Sequence, residues 1–433
     1  MRINSGYFTK VLLISMVVFS SIQSVLAAPI ELSMGDCIAL ALKNNPTLKI
    51  AEAGKEKNRW AIKQSEASKG FTLSFDHTDS HYNTAPNPSD FIYDYTYYTD
   101  FDNELSLGLT LYSGGKLEGQ IDQAKLNFKI GDLNLDATKQ QLKLSAVSAY
   151  FDVLQYQKIL EVNQESMDDL DAHLAKVQAQ YGAGMVPKAD FLYSQVQLSS
   201  TQDGLIRVRN NYENAVENLS TVIGLPMNSE VKLKDDFHYE KYALTMDDCV
   251  QYTLKNRPEM AEYQASISVA KDNLTIAQSG YLPTVTFKGT RDWDDQTLPG
   301  QTSRTWQVSL TASLNVLDAG LTASQLKQAK YGLETAQQQA RQNQDSIVLE
   351  VRQAYHSLRE AENRIETAEV SVEHAEEDYK ISEIGYSSGV TDNLNVIDAE
   401  LALAQAKTLY IQALYDYNTS KVKLDKAMGV TVK

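Results

Sequence analysis

The sequence predicts an α+β fold with a two-fold internal repeat, in which four amphipathic strands contribute to an oligomeric transmembrane β-barrel and long coiled-coil helices form a rod or the wall of a tube. Three observations carry this expectation. The chain is duplicated segment by segment, two hairpins alternate with a period of two, and two long helices hold a seven-residue apolar period.

The duplication comes first because it orders everything else. Leu32-Ser33-Met34-Gly35-Asp36-Cys37 returns as Leu244-Thr245-Met246-Asp247-Asp248-Cys249, and Lys43-Asn44-Asn45-Pro46 as Lys255-Asn256-Arg257-Pro258, an offset of 212. Farther on the offset is 205: Gln123-Ala124-Lys125 matches Gln328-Ala329-Lys330, Tyr181 matches Tyr386, and Gly224 matches Gly429. The change of offset falls between Phe75 and Gln123, an interval that holds a tip loop in each copy, and loops tolerate such changes. The first copy spans 32–240 and the second 244–433. Ahead of them, Arg2 and Lys10 frame a short apolar run, Val11 to Phe19, and small residues follow at Ala27-Ala28. That is the pattern of a cleaved secretory signal peptide, residues 1–27. A membrane anchor would need roughly 20 apolar residues.

Each copy repeats one order of elements. A short helix starts at a capping Ser33 or Thr245 and stops at Pro46 or Pro258, where a second helix begins. Two hairpins follow, 72–112 and 284–316. In the second, Trp306, Val308, Leu310, Ala312, Leu314 and Val316 share one face, while Gln307, Ser309, Thr311, Ser313 and Asn315 share the other. Leu105, Leu107, Leu109 and Leu111 are the counterpart, the partner strands are 72–81 and 284–293, and turn-rich tips lie at Thr84 to Pro88 and Gln296 to Gly300. Strands of about ten residues suffice to cross a bilayer at a tilt. Four strands cannot close a barrel, and an open edge in lipid strands backbone groups without partners. Copies of the chain must therefore complete the wall. On alternation alone, two soluble hairpins packed on helices are the alternative.

After each hairpin a glycine opens a long helix, 115–181 and 320–385. Ile347, Val351, Ala354, Leu358, Ala361, Ile365, Ala368, Val372, Ala375 and Tyr379 keep a four-three spacing. Their equivalents are Leu142, Ala146, Ala149, Val153, Tyr156, Leu160, Asn163, Met167, Leu170 and Leu174. A sustained seven-residue period means supercoiled helices, and at 1.5 Å per residue each would reach roughly 100 Å. Glycine-rich turns, Gly182 and Gly184 in one copy and Gly385 and Gly389 in the other, lead to antiparallel return helices at 187–223 and 392–428.

Charge and chemistry narrow the function. The formal net charge is −16, and removal of Arg2 and Lys10 takes it to −18, which excludes nucleic acid as a partner. Tyrosine is over-used, 24 against 11 Phe and 3 Trp, as suits surfaces half wet and half apolar. Cys37 and Cys249 hold equivalent positions; one disulfide is the alternative, but two small buried residues fit the repeat better. The six histidines form no metal-protease pattern, and neither a nucleophile elbow nor a phosphate-binding glycine loop occurs. Glu373-His374-Ala375-Glu376-Glu377-Asp378 is the densest acidic stretch, yet its acids fall on outer helix faces and have no metal-ligand spacing. No enzyme, cofactor or metal site is expected.

The paired openings Leu-x-Met-x-Asp-Cys…Asn-x-Pro and the turn Gly385-Tyr386-Ser387-Ser388-Gly389…Leu394-Asn395-Val396-Ile397-Asp398-Ala399 resemble the TolC-like outer-membrane efflux protein family, across nearly all of the mature chain. The resemblance implies a homotrimer with a twelve-strand barrel in outer-membrane lipid and a periplasmic α-barrel of twelve helices. It also implies a periplasmic adaptor (membrane fusion protein) and an inner-membrane pump or ATPase as partners, with docking at the glycine turns. In that family an aspartate ring narrows the periplasmic tip, and links from a tyrosine and an arginine hold it shut. Carried over, the tyrosine is Tyr386, the ring aspartate Asp398 and the aspartate on the neighbouring hairpin Asp190. Two positions depart: the second ring aspartate is Asn395 and the arginine is Thr391. The competing reading is a periplasmic coiled-coil adaptor or scaffold without a pore, which would have no use for two amphipathic strands per copy.

Overall fold

A short helix needs help at its start, and both copies supply it in the same way. In a computed structural model describing residues 30–85, 95–226, 229–297 and 303–430, Ser33 Oγ accepts from the Asp36 amide at 3.2 Å. The Asp36 carboxylate accepts from the Ser33 amide at 3.0 Å. Thr245 and Asp248 repeat this reciprocal cap. Helices α1 (Met34–Asn44) and α5 (Met246–Asn256) follow, and Pro46 and Pro258 open α2 (Pro46–Ala67) and α6 (Pro258–Gln278). Ser33→Ala should cost about 1 kcal/mol, read as faster amide exchange confined to the first turn of α1.

The residue before each proline has a second task. Asn45 Nδ2 donates to the Val222 carbonyl at 2.9 Å, and Arg257 Nη1 to the equivalent Ala427 carbonyl at 3.0 Å. Each opening segment is thus tied to the end of its own return helix. Those ends turn through Gly224 and Gly429, with φ of 70° and 74°, where a side chain would meet Asn44 at 2.6 Å or Arg257 at 3.0 Å. Arg257 is buried and ion-paired to Glu350 at 2.7 Å and Glu259 at 3.1 Å.

Two sheets form. A short parallel pair joins β1 (Ile30–Leu32) to β4 (Val231–Leu233). The other is antiparallel in the order β2 (Thr72–Thr84), β3 (Thr96–Tyr112), β5 (Thr284–Asp295), β6 (Ser303–Ser313). Its register sorts the side chains. Leu73, Phe75, Leu105, Leu107, Phe287, Trp306, Val308 and Leu310 share one face; Ser74, Asp76, Ser106, Glu104, Thr286, Lys288, Gln307 and Ser309 share the other. On the polar face Asp100, Asp102 and Asp294 bring carboxylate oxygens within 4.8 Å of one another. The strands at the two edges, β2 and β6, have no second neighbour among the described residues.

Several strand limits differ from those expected. The strand expected over 306–316 ends at Ser313, because β5 begins its ladder at the Thr284–Ser313 pair. Leu314 and Val316 continue the alternation beyond the sheet, exposed. β3 has 17 residues and β2 has 13, because polar pairs such as Tyr82–Tyr98 and His81–Thr99 extend the ladder where alternation gives no signal. The signal peptide at 1–27 and the middles of both tip loops lie outside the described residues.

Two helices of 67 residues follow the hairpins, α3 (Lys116–Gly182) and α7 (Leu321–Ser387), each with an antiparallel return, α4 (Lys188–Ile223) and α8 (Asn393–Met428). All the seam positions named above are buried or half-buried, and the acidic stretch Glu373–Asp378 keeps its acids exposed. None of the described helices is long and apolar enough to cross a membrane. Two cores sit where short helices pack on the rods. One holds Cys37, Ile38, Tyr150 and Leu219; the other holds Cys249, Val351, Leu358 and Tyr417. Both cysteines are free and buried, as small apolar residues would be.

Candidate gate at the helix tips

The rods end in two turns at the end of the chain away from the sheet. Gly184 and Gly389 take φ of 75° and 73°, the left-handed value that lets a helix stop and the chain reverse. Gly182 is the last residue of α3, and Gly385 lies two residues before the end of α7. A side chain on Gly385 would come within 2.8 Å of Thr391 Cγ2, and Thr391 Oγ1 donates to the Ser382 carbonyl at 3.2 Å. Thr391 therefore closes its own turn. Among the described residues it makes no link to the neighbouring hairpin of the kind the family's arginine makes.

That link is made by other residues. Asn393, the first residue of α8, is 2% exposed and makes three hydrogen bonds outside its own hairpin. Its Oδ1 lies 2.7 Å from His173 Nε2 on α3 and accepts from Ser194 Oγ on α4 at 3.2 Å. Its Nδ2 donates to the Asp190 carbonyl at 3.2 Å. Tyr386 lies against this knot: its ring stands 5.1 Å from that of His173, and its hydroxyl donates to Gln180 Oε1 at 2.5 Å. Lys176 and Glu383 add an exposed ion pair at 2.8 Å. Burial pushes the His173 pKa below the ordinary histidine value, against the pull of its bond to Asn393, and Lys176 lowers it further. Burial, then the charge of Asp190, raises the pKa of the Tyr386 hydroxyl.

Of the residues carried over from the family, Tyr386 and Asp190 are brought together. Tyr386 bonds Gln180, and Asp190 joins the knot through its carbonyl. Asn395 and Asp398 are three apart on the exposed stripe of α8, between buried Asn393, Val396, Ile397 and Ala399. The Asn395 amide donates to the capping Asp392 at 3.0 Å.

His173, Asn393, Ser194, Gln180, Lys176 and Glu383 were not legible as site residues. A signal existed in the repeat: Ser194 stands opposite Ala399, Lys176 opposite Ile381 and Gln180 opposite Gly385, while the charged Glu383 stands opposite the uncharged Gln178. Polar residues without a polar counterpart, and a charge without a charged one, mark the place where the copies do different work.

The knot is also the outermost rung of a ladder. Between α3 and α8 run the pairs His173–Asn393, Ser166–Glu400, Glu165–Lys407 at 3.2 Å, Gln155–Gln412 and Asp152–Tyr415 at 2.7 Å. Each hairpin coheres through its apolar seam, while polar pairs cross between the hairpins.

Known proteins share this architecture. The crystal structure of the Campylobacter jejuni CmeC outer membrane channel superposes with a TM-score of 0.82 at 18% identity, covering 92% of this chain and 87% of that one. VceC of Vibrio cholerae gives 0.78 at 16%, covering 92% and 96%. In sequence, the outer membrane protein TolC of Salmonella enteritidis is 26% identical over 357 residues, 78% of this chain and 72% of that protein. The alkaline protease secretion protein AprF of Pseudomonas aeruginosa is 22% identical over 311 residues, 70% and 64% of the two chains. The outer membrane efflux protein model matches residues 37–225 and again 249–430, the two copies separately. With most of its length matched in this way, the chain belongs to the outer membrane efflux protein family.

Proposed function

We propose that the chain is one subunit of a trimeric exit duct, a passive conduit that serves a multi-component efflux or type I secretion system and is gated at its periplasmic tip. The observation that carries this is the four-stranded sheet. One face is apolar, the other is polar, and two edges lack partners among the described residues. An edge in lipid must be paired, so copies of the chain close the wall, twelve strands for three copies. The polar faces then line the lumen. A pore-less adaptor would need neither face.

The relatives point to the wider assembly. AprF is described as an alkaline protease secretion protein, and OpmQ of Pseudomonas putida as a pyoverdine export outer membrane protein. On that basis a periplasmic adaptor docks at the turns of Gly182, Gly184, Gly385 and Gly389. An inner-membrane pump or ATPase supplies the cargo and the energy.

At the tip, one Asp398 per subunit makes a ring of three carboxylates, with uncharged Asn395 inside the same stripe. Such a ring attracts cations and repels anions. Thr391 supplies no salt bridge to the latch, so hydrogen bonds centred on Asn393 hold the tip shut, with Tyr386 and Asp190 beside them. Planar-bilayer recording of the purified oligomer tests the duct; a protein that inserts without conducting would refute it. Asp398→Asn should lower cation preference and weaken block by multivalent cations by several-fold. An unchanged cation response in that variant removes Asp398 from the ring.

A further inference from the structure

One rung of the ladder between the hairpins has no part in the latch. Glu400 stands one heptad along α8 from Asn393, and its neighbour Ser166 one heptad along α3 from His173. Glu400 is 3% exposed, and its Oε2 has no hydrogen-bond partner among the described residues. Ser166 bonds the carboxyl. From α3, Glu165 and Asp169 also face it; from α7 comes Tyr379, with Glu383 beside Asp169; from its own helix comes Lys407. That nearby cation is already engaged, since Lys407 Nζ lies 3.2 Å from both oxygens of Glu165.

A carboxylate in that place would lack water, leave an oxygen unpaired and sit among other acids. A neutral carboxyl suffers none of this. Burial raises the Glu400 pKa to about 7, with the Ser166 bond opposing and Asp169 adding to the rise; Lys407 opposes and Glu165 adds again.

We propose that Glu400 is a proton-operated lock on the seam between α3 and α8: its neutral form lets the seam close, and its carboxylate drives the two hairpins apart. The lock rests on the tip-gate reading above. When the seam opens, water reaches Glu400 and its pKa returns toward the ordinary 4.5. The closed form therefore holds an extra proton between pH 4.5 and about 7. Closure is fullest at the acid end of that window and is lost as pH rises through it. Asp169, also raised by burial and by Glu165 and Glu383, acts in the same direction. His173 acts oppositely, because the closed seam keeps it neutral, and it blunts the response without reversing it at the alkaline end.

The test uses the full-chain oligomer with spin labels on cysteines introduced at Gln178 of α3 and Leu394 of α8, both exposed. The native Cys37 and Cys249 are buried and escape labelling. Between pH 4.5 and 7.5 the open population, read from label distances, should rise tenfold or more, since each unit of pKa shift is worth about tenfold. Glu400→Gln copies the neutral carboxyl in shape; it should melt like the parent at pH 4.5 and stay closed across the range. A Glu400→Gln variant that follows the parent's pH curve overturns the lock, and so does a parent whose distance does not move. Conductance of the same samples separates the two ideas. Its absence at every pH would sink the duct, while the distances still decide the lock.

Discussion

Leu310→Lys should abolish recovery of the assembled oligomer from the outer membrane, whereas Ser309→Lys, one residue away, should leave assembly intact. The two positions occupy opposite faces of β6: Leu310 pairs with Phe287 on the apolar face, and Ser309 with Lys288 on the polar one. Within a single chain Leu310 is 66% exposed, as are Trp306 and Val308 on the same face at 78% and 59%. A soluble hairpin packed on helices would not leave that row bare. A lysine at mid-bilayer on the lipid face costs about 2–4 kcal/mol. Repeated in each subunit, that is of the same order as the whole stability of an ordinary domain. On the polar face a lysine meets water, and Lys288 opposite it is already paired with Glu104 at 3.2 Å. The assay is the detergent-resistant oligomer band in outer-membrane fractions. Equal loss in both variants would mean that the faces do not divide lipid from lumen, and the soluble-hairpin alternative would stand.

How much of this was legible beforehand follows from how each feature is written in the chain. Periodic features were. Period-two alternation at Trp306 to Ala312 and the four-three spacing from Ile347 to Tyr379 repeat over many residues, so no single exception hides them. Caps were legible for a related reason: Ser33 and Asp36 lie three apart, and local chemistry is read locally. The upper parts of β2 and β3 were not, because His81–Thr99 and Tyr82–Tyr98 pair without alternating in polarity. The latch was the least legible. His173 and Asn393 are 220 residues apart, and each is a single polar residue in a long amphipathic helix. Family resemblance directs attention to Tyr386, Asp190 and Thr391; Tyr386 and the Asp190 carbonyl bond across the hairpins, Thr391 closes its own turn, and the bonds centre on Asn393. Only the mismatch between the copies at Ser194, Lys176 and Gln180, and in charge at Glu383, held that information in the sequence.

That latch yields the second large effect. Asn393→Leu should leave the channel open, with a conductance many-fold above that of the parent at rest, while folding and oligomer yield stay near normal. The asparagine sits at the first position of α8, where a leucine does no harm to the helix, so the change acts through lost partners. His173 Nε2 would be left without its bond in a dry site, while Ser194 Oγ and the Asp190 carbonyl would keep only each other. Each stranded group costs about 1–3 kcal/mol, and the cheapest relief is for the hairpins to part and admit water. One such group amounts to a shift of about five-fold to a hundred-fold in the closed-to-open ratio. The neighbouring ion pair gives the contrast. Lys176 and Glu383 are about half exposed, 51% and 46%, at 2.8 Å, and exposed pairs are worth about 0–1 kcal/mol. Lys176→Ala should therefore raise conductance by a few-fold at most, and the difference should vanish in high salt. The order matters more than either number. If Lys176→Ala opened the channel further than Asn393→Leu, the tip would be an electrostatic latch of the family's usual kind, and the buried knot would be ordinary packing.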